Sequence, residues 1–294
     1  MLALALVGII GSALFLNSHP PLAIRLNERP SQDDVQPLIY WQEPTKSGDG
    51  QLTTVRLDLE SNLYQLNLLV NPPNNTAPEQ ANSRLELPTT MAMVGRFVVG
   101  INATSYTLPN KSPEATETWK TFIRGANVTL RGFALPRDAP AIGEGPAAPS
   151  YPILWQKPNG EIGLTAENYP DNAVWAFSAY HWLVKDGVPY KAITPYKERT
   201  FRSSAGISAD GRWLFLCVCG PPPLAKSGKQ GASLPEMANH FISLGVDRAI
   251  NFDGGSSTSM VILTGENYLL IPRPKKVIPR PIPFMFGITI NQDE

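Results

Sequence analysis

The sequence predicts an α+β protein dominated by strands, with mixed sheets, few helices and long proline-rich loops. Three observations carry this. Short apolar or alternating runs recur along the chain, bounded by Asn-Gly and Asp-Gly pairs. One stretch alone has clear helical periodicity. Proline (29) and glycine (23) are abundant among 294 residues, which suits strands and turns better than a helical bundle.

The chain opens "MLALALVGIIGSALFLNSHPPLA". Its apolar run of roughly 16 residues matches a secretory h-region or falls just short of a spanning helix. No Lys or Arg precedes it. Residues 1–23 are therefore expected to be a signal peptide or N-terminal membrane anchor, placing the rest outside the cytoplasm (periplasmic, secreted or membrane-anchored). Residues 24–52 are polar and turn-rich and read as a linker or irregular edge. Residues 53–294 are expected to form the functional domain.

Within that domain, "TTVRLDLES" (53–61) alternates Val55, Leu57 and Leu59 and predicts a strand. "YQLNLLVNPP" (64–73) predicts its neighbour, ended by Pro72 and Pro73. "MVGRFVVGINATSY" (93–106) reads as a buried strand that stops at Asn102. Residues 107–150 carry many prolines and little periodicity and are expected to be long loops or a lid. Asn159-Gly160, Asp186-Gly187 and Asp210-Gly211 each mark a hairpin turn. A helix is predicted from Leu234 to Leu244, with apolar residues at Leu234, Met237, Ala238, Phe241 and Ile242. Ser233 and Glu236 form a capping box, and Gly245 suits the position after the helix. "PIPFMFGITI" closes the chain as a strand.

Charge and cysteine content exclude some functions. Lys plus Arg (25) balance Asp plus Glu (25), so nothing points to nucleic acid as a partner. Cys217 and Cys219 stand two apart on a strand and face the same way, as small core residues. Two cysteines and three scattered histidines are too few for a zinc site. Asn74, Asn102 and Asn127 each begin an Asn-x-Ser/Thr triplet, which matters only in a eukaryotic secretory path. "RPKK" (273–276) reads as a solvated loop.

The stretch richest in chemistry is "RAINFDGGSSTSMVI" (248–262). A strand delivers Asp253 to its tip, and Gly254 and Gly255 then permit backbone angles other residues resist. Successive amides in such a turn can converge on an anion. Ser256, Ser257, Thr258 and Ser259 add hydroxyl donors. A carboxylate beside such donors suits a substrate carrying both a sugar and a phosphate. An ordinary Asp-Gly turn between two strands is the competing reading.

"AINFDGGSSTSMV" resembles the signature of the phosphodiester glycosidase family, with Asn251, Asp253, Gly254, Gly255 and Ser257 in place and Ser256 where a third glycine is common. "FVVGINATSY" is similar to the family's "INGGFF"-type segment, aligning Asn102 and bringing Tyr106 near an aromatic, with Ala103-Thr104 replacing a glycine pair. "FRSSAGISADGR" resembles a segment that aligns Arg202, Ser203 and Gly206. "HWLVKDG" resembles a family hairpin, preceded here by "FSAYHW" rather than a glycine-rich lead-in. "SLPEMANHFISLGVDRAINFDGG" resembles the helix-then-strand unit before the signature, and "RPIPFMFGI" the closing strand. The resemblance spans residues 53–290 or so.

It implies an exported hydrolase that cleaves a glycosyl phosphodiester, or a related sugar linkage of a cell-surface glycan. Such a substrate already carries a good leaving group, so a cradle for the departing phosphate matters more than a strong general acid. Asp253 is the expected catalytic carboxylate. Arg202 is expected to hold phosphate oxygens through its planar fork. Asn102 is expected to orient a sugar hydroxyl or acetamido group. Asn251, Gly254, Gly255, Ser256, Ser257, Ser203 and His181 are expected to line the substrate site, His181 also being readable as a structural histidine. Glu236 is explained by its capping box, and Asp186 and Asp210 by their turns. No cofactor is required by these residues, and no metal site is assigned. Calcium, held by Asp253 with Asn251 or Asn102, stays open. So do two other readings: a non-catalytic glycan-binding module, and a phosphodiesterase that breaks the P–O bond.

Overall fold

The computed structural model describes residues 23–31, 33–109, 122–143, 151–222, 230–272 and 279–291. The apolar N-terminal run, much of the 107–150 stretch and "RPKK" lie outside these residues. The protein is mostly β, a correction to the α+β expectation. Two α-helices, Pro88–Val94 and Leu234–Ser243, occur among the described residues, and they form no layer of their own. No described helix is long and apolar enough to cross a membrane.

The largest sheet has eight strands, in the order Ile24–Arg25, Leu38–Pro44, Gln51–Asp58, Trp213–Gly220, Arg202–Ser208, Val246–Asn251, His181–Lys185 and Val188–Pro189. Its neighbours pair antiparallel except the first two strands, which run parallel. A second sheet orders Asn267–Ile271, Met260–Thr264, Phe97–Asn102, Phe284–Ile290 and Tyr64–Val70. A third orders Ile142–Gly143, Phe133–Leu135, Trp175–Ser178, Ile153–Gln156 and Ile162–Thr165. A small sheet joins Ser83–Arg84, Asn127–Leu130 and Tyr106–Thr107.

The three larger sheets share one core. Alternation sends Val55, Ala205, Ile207 and Leu216 inward from the first, Leu66, Val99, Ile101 and Phe286 from the second, and Leu154, Trp175 and Phe177 from the third. The Phe177 ring lies 5.7 Å from Phe252, 5.1 Å from Phe284 and 5.3 Å from Phe286. Phe252 directly precedes Asp253, so this aromatic packing anchors the base of the signature turn.

Helix Leu234–Ser243 covers the outer face of the eight-stranded sheet. Leu234, Met237, Ala238 and Phe241 pack on Trp41, Leu183, Phe215, Cys217 and Ala249. Its capping box is formed: Ser233 accepts from the Glu236 amide while the Glu236 carboxylate accepts from the Ser233 amide. Gly245 follows at φ +77, as the helix end requires. Both cysteines are buried in this layer, and burial raises both thiol pKa values, that of Cys217 to about 12.

Asp186 and Gly187 both take positive φ and close a two-residue hairpin between Lys185 and Val188. At the other two turns only Gly160 and Gly211 do so. Three places differ from expectation. The stretch read as long loops or a lid holds strands Asn127–Leu130, Phe133–Leu135 and Ile142–Gly143. The stretch read as an irregular edge holds strand Leu38–Pro44, with Leu38, Ile39, Tyr40 and Trp41 buried. Residues 88–94 are helical, so the strand expected from 93 starts at Phe97.

Candidate active site

Strand Val246–Asn251 runs between Arg202–Ser208 and His181–Lys185 and ends at the signature turn. The turn is tied to its surroundings through backbone groups. The Phe252 amide donates to Ser203 O at 2.7 Å, the Asp253 amide to Ala103 O at 2.8 Å and the Gly255 amide to Phe201 O at 2.8 Å. Gly255 has φ +61. A Cβ at Gly254 would sit 2.8 Å from the Phe201 carbonyl oxygen, so both glycines are required sterically. Ser256 does not take positive φ, which is why serine is tolerated there.

Asn102 organises the turn. Its Nδ2 donates to Asp253 O at 2.8 Å, and its Oδ1 accepts from Ser203 Oγ at 2.6 Å and from the Ser259 amide at 2.9 Å. It is buried, at 2% exposure. One side chain thus joins the second sheet, the first sheet and both ends of the signature loop. The same burial excludes Asn102 as a glycan acceptor. Thr104, at a position of the replaced glycine pair, donates to Ser178 O at 3.0 Å and fastens this corner to the third sheet.

The expected convergence of amides on an anion is not what the turn presents. Besides the pairings above, the Ser257 amide donates to Gly254 O and the Thr258 amide to Gly255 O. The Gly254 amide serves the Asp253 carboxylate. The protein's own acceptors occupy these donors, so an incoming anion must be met mainly by side chains.

Those side chains surround Asp253. Burial raises its carboxyl to about 6, and four influences oppose this: the Ser257 hydroxyl, the Arg280 charge, the Gly254 amide and the Arg131 charge. Tyr106 completes the group. Arg280 Nε donates to the Tyr106 hydroxyl at 3.0 Å, and that hydroxyl donates to Pro281 O at 3.2 Å. The Arg280 guanidinium also lies 4.0 Å from the centroid of the Phe122 ring. The small sheet delivers Tyr106 and Arg131, while Arg280 comes from the segment leading into the closing strand. Arg131 and Arg280 were not among the expected site residues. Arg280 had a signal, since it opens "RPIPFMFGI"; Arg131 had none.

Arg202 lies on the other side of the turn, its Cα and Cδ each 3.9 Å from a Cβ built on Gly254. Its Nε donates to Ala232 O at 3.1 Å and its Nη2 to Glu198 O at 3.0 Å. Arg280 and Arg131 are the guanidinium charges that lower the Asp253 carboxyl most, and Arg202 lowers the His181 pKa. His181 pairs with Asn251 across the strands and is held below its usual pKa, first by burial and then by Arg202. Asn251 Nδ2 donates to Phe252 O at 2.6 Å. Ser203 is spent on Asn102, Ser256 is exposed and Ser257 is buried beside Asp253. Glu236 pairs with Arg199 at 2.8 Å and belongs to the helix cap. No group of three or more His, Cys, Asp or Glu that could hold a metal occurs among the described residues.

Two of three comparisons place the chain among known proteins. The phosphodiester glycosidase family model matches residues 131–289. No curated protein matches the sequence. Among solved structures, the catalytic domain of zebrafish N-acetylglucosamine-1-phosphodiester α-N-acetylglucosaminidase, auto-inhibited by its pro-peptide, is similar in fold at 15% identity and a TM-score of 0.57, over 92% of this chain and 87% of that one. A hypothetical protein from Synechocystis aligns at 17% identity and a TM-score of 0.47, over 87% of this chain and 64% of that one. With more than half of its length matched by the family model, signature turn included, this chain belongs to the phosphodiester glycosidase family.

Proposed function

We propose that the protein is an exported hydrolase that cleaves the C1–O bond of a glycosyl phosphodiester on a cell-surface glycan. The observation that carries this is the grouping of one carboxylate near pKa 6 with two guanidinium groups, a tyrosine and a serine hydroxyl. The apolar run at residues 1–23 supports export or anchoring.

In this reading Asp253, ionised, accepts a proton from water as the water oxygen bonds to C1. The C1–O bond breaks with its electron pair going to oxygen, and the product phosphate monoester departs. Arg280 and Arg131 take up the charge that develops on the leaving phosphate. Tyr106 fixes Arg280 by accepting from its Nε. Asn102 positions Asp253 through the backbone rather than by touching sugar. The phosphate role expected for Arg202 passes to Arg280 and Arg131, because those two guanidinium groups act on the carboxylate.

The deciding experiment is hydrolysis of a sugar-1-phosphate diester in ¹⁸O-water by the purified chain from residue 23 onward. Label in the sugar is the expected result. Label in the phosphate would reassign the enzyme to P–O cleavage. Tight glycan binding without product would make it a binding module.

A further inference from the structure

Beside the proposed catalytic turn lies an aromatic cluster that the reaction does not use. Tyr180 and His181 meet edge to face at 4.7 Å, Tyr151 lies 5.0 Å from Tyr180 and 5.6 Å from His181, and Tyr196 lies 5.2 Å from His181. These side chains are not core. Tyr151, Tyr180 and His181 are half-buried and Tyr196 is 49% exposed.

Polar groups converge on the same place. His181, Asn251 and Ser204 form one cross-strand row, so their side chains share a face. Asn251 Oδ1 and Ser204 Oγ are both buried there without a hydrogen-bond partner. Buried polar atoms left unmatched mark a place where a ligand or water is due. The Arg202 charge reaches His181, and the Arg131 charge reaches both Tyr151 and Asp253. The Tyr180 amide donates to Asn251 O at 2.9 Å, two residues before Asp253, so the cluster adjoins the proposed catalytic turn.

We propose that Tyr151, Tyr180, His181 and Tyr196 form a stacking subsite for a neutral pyranose ring, distinct from the position where the C1–O bond is cleaved. This deepens the catalytic reading by giving the substrate a further ring that is held without charge. Aromatic faces take the C–H face of a sugar, phenol groups and a neutral imidazole bond its hydroxyls, and among the described residues no carboxylate pairs with the cluster to select a cation. Arg202, bonded to the Ala232 and Glu198 carbonyls, frames this subsite, and burial first, then the Arg202 charge, lowers the His181 pKa.

The test is binding of phosphate-free oligosaccharides, which needs no turnover and so can fail independently of the hydrolase assignment. Cellotriose, maltotriose and N,N′-diacetylchitobiose would be titrated into the chain from residue 23 onward and followed by tyrosine and tryptophan fluorescence and by saturation-transfer NMR. At least one probe should bind in the micromolar to millimolar range, with ring C–H protons receiving saturation. Tyr196→Ala should weaken that probe by about tenfold, the size of a lost stacking contact. Tyr196→Trp should retain it. Tyr196 is half exposed, so neither change threatens folding. Absence of binding by every probe at about 10 mM, below any useful affinity, would overturn the proposal. So would binding indifferent to Tyr196→Ala.

Discussion

Asp253 is where stability and the proposed chemistry pull in opposite directions. Its folded carboxyl titrates near 6 against an ordinary 3.8, chiefly because of burial. The folded state binds the proton more tightly than the unfolded one. Its contribution to stability is therefore present at low pH and lost as pH rises from about 4 to 6. Asp253→Asn removes that loss. The variant should melt higher than the parent at pH 7–8, by the equivalent of about 1–3 kcal/mol, with the gap closing below pH 4; differential scanning fluorimetry across pH measures it. It should also lose turnover. In the parent, kcat/KM should rise through pH 6 as the carboxylate forms. A rate independent of pH between 5 and 7.5 would remove Asp253 from the proton-accepting role. Asn102 behaves differently. Asn102→Ala strands Ser203 Oγ, the Ser259 amide and the Asp253 carbonyl in the interior, and should cost at least about 3 kcal/mol of stability in chemical denaturation. The placement of Asp253 and Asn102 at one turn was legible in the sequence because each sits in a short motif. The approach of Arg131 was not, since its charge reaches Asp253 only when the small sheet folds against the turn. Arg202 shows the reverse: a guanidinium in the expected motif, anchored to two carbonyls on the tyrosine side.

Among the elements, local signals served well where they were self-sufficient. The helix at 234–243 has periodicity, a capping box and a terminal glycine, and it forms within one residue of expectation. Ser233→Ala should destabilise the fold by about 1 kcal/mol, read as a shift in denaturation midpoint with no change in slope. Asp186-Gly187 closes a two-residue hairpin for a similarly local reason. Leu38–Pro44 was missed because its neighbours are polar, although its partner Gln51–Asp58 follows directly after residues 45–50. Its burial comes from pairing with Gln51–Asp58 and from covering by helix Leu234–Ser243, neither visible in "LIYWQEP". Pro88–Val94 was missed because seven residues are too few for periodicity to stand out, and because its exposed end, Met93 and Val94, is as apolar as its buried face.

For the whole molecule, the placing of Leu38–Pro44 decides where the folded unit starts. The strand contributes fully buried Ile39 and Trp41 to the layer beneath the helix, and Leu38 and Tyr40 to the shared core. Arg29 reaches Glu43 with two hydrogen bonds, and Glu43 lies 3.4 Å from His240 on the helix. A boundary at residue 53 would remove all of this and expose the Gln51–Asp58 edge to other chains. A chain beginning at residue 23 should therefore be monodisperse and melt cooperatively, whereas one beginning at residue 53 should aggregate or fail to melt as a single transition. The thiols give an independent reading. Cys217 and Cys219 are fully buried, so in the longer chain a thiol reagent should label them only as fast as the protein unfolds. In the shorter chain, labelling should proceed rapidly without denaturant, since the row Trp41, Thr54, Cys217 loses its outer member. Slow labelling and a cooperative melt from the chain beginning at residue 53 would place the start of the fold after this strand and make 24–52 dispensable.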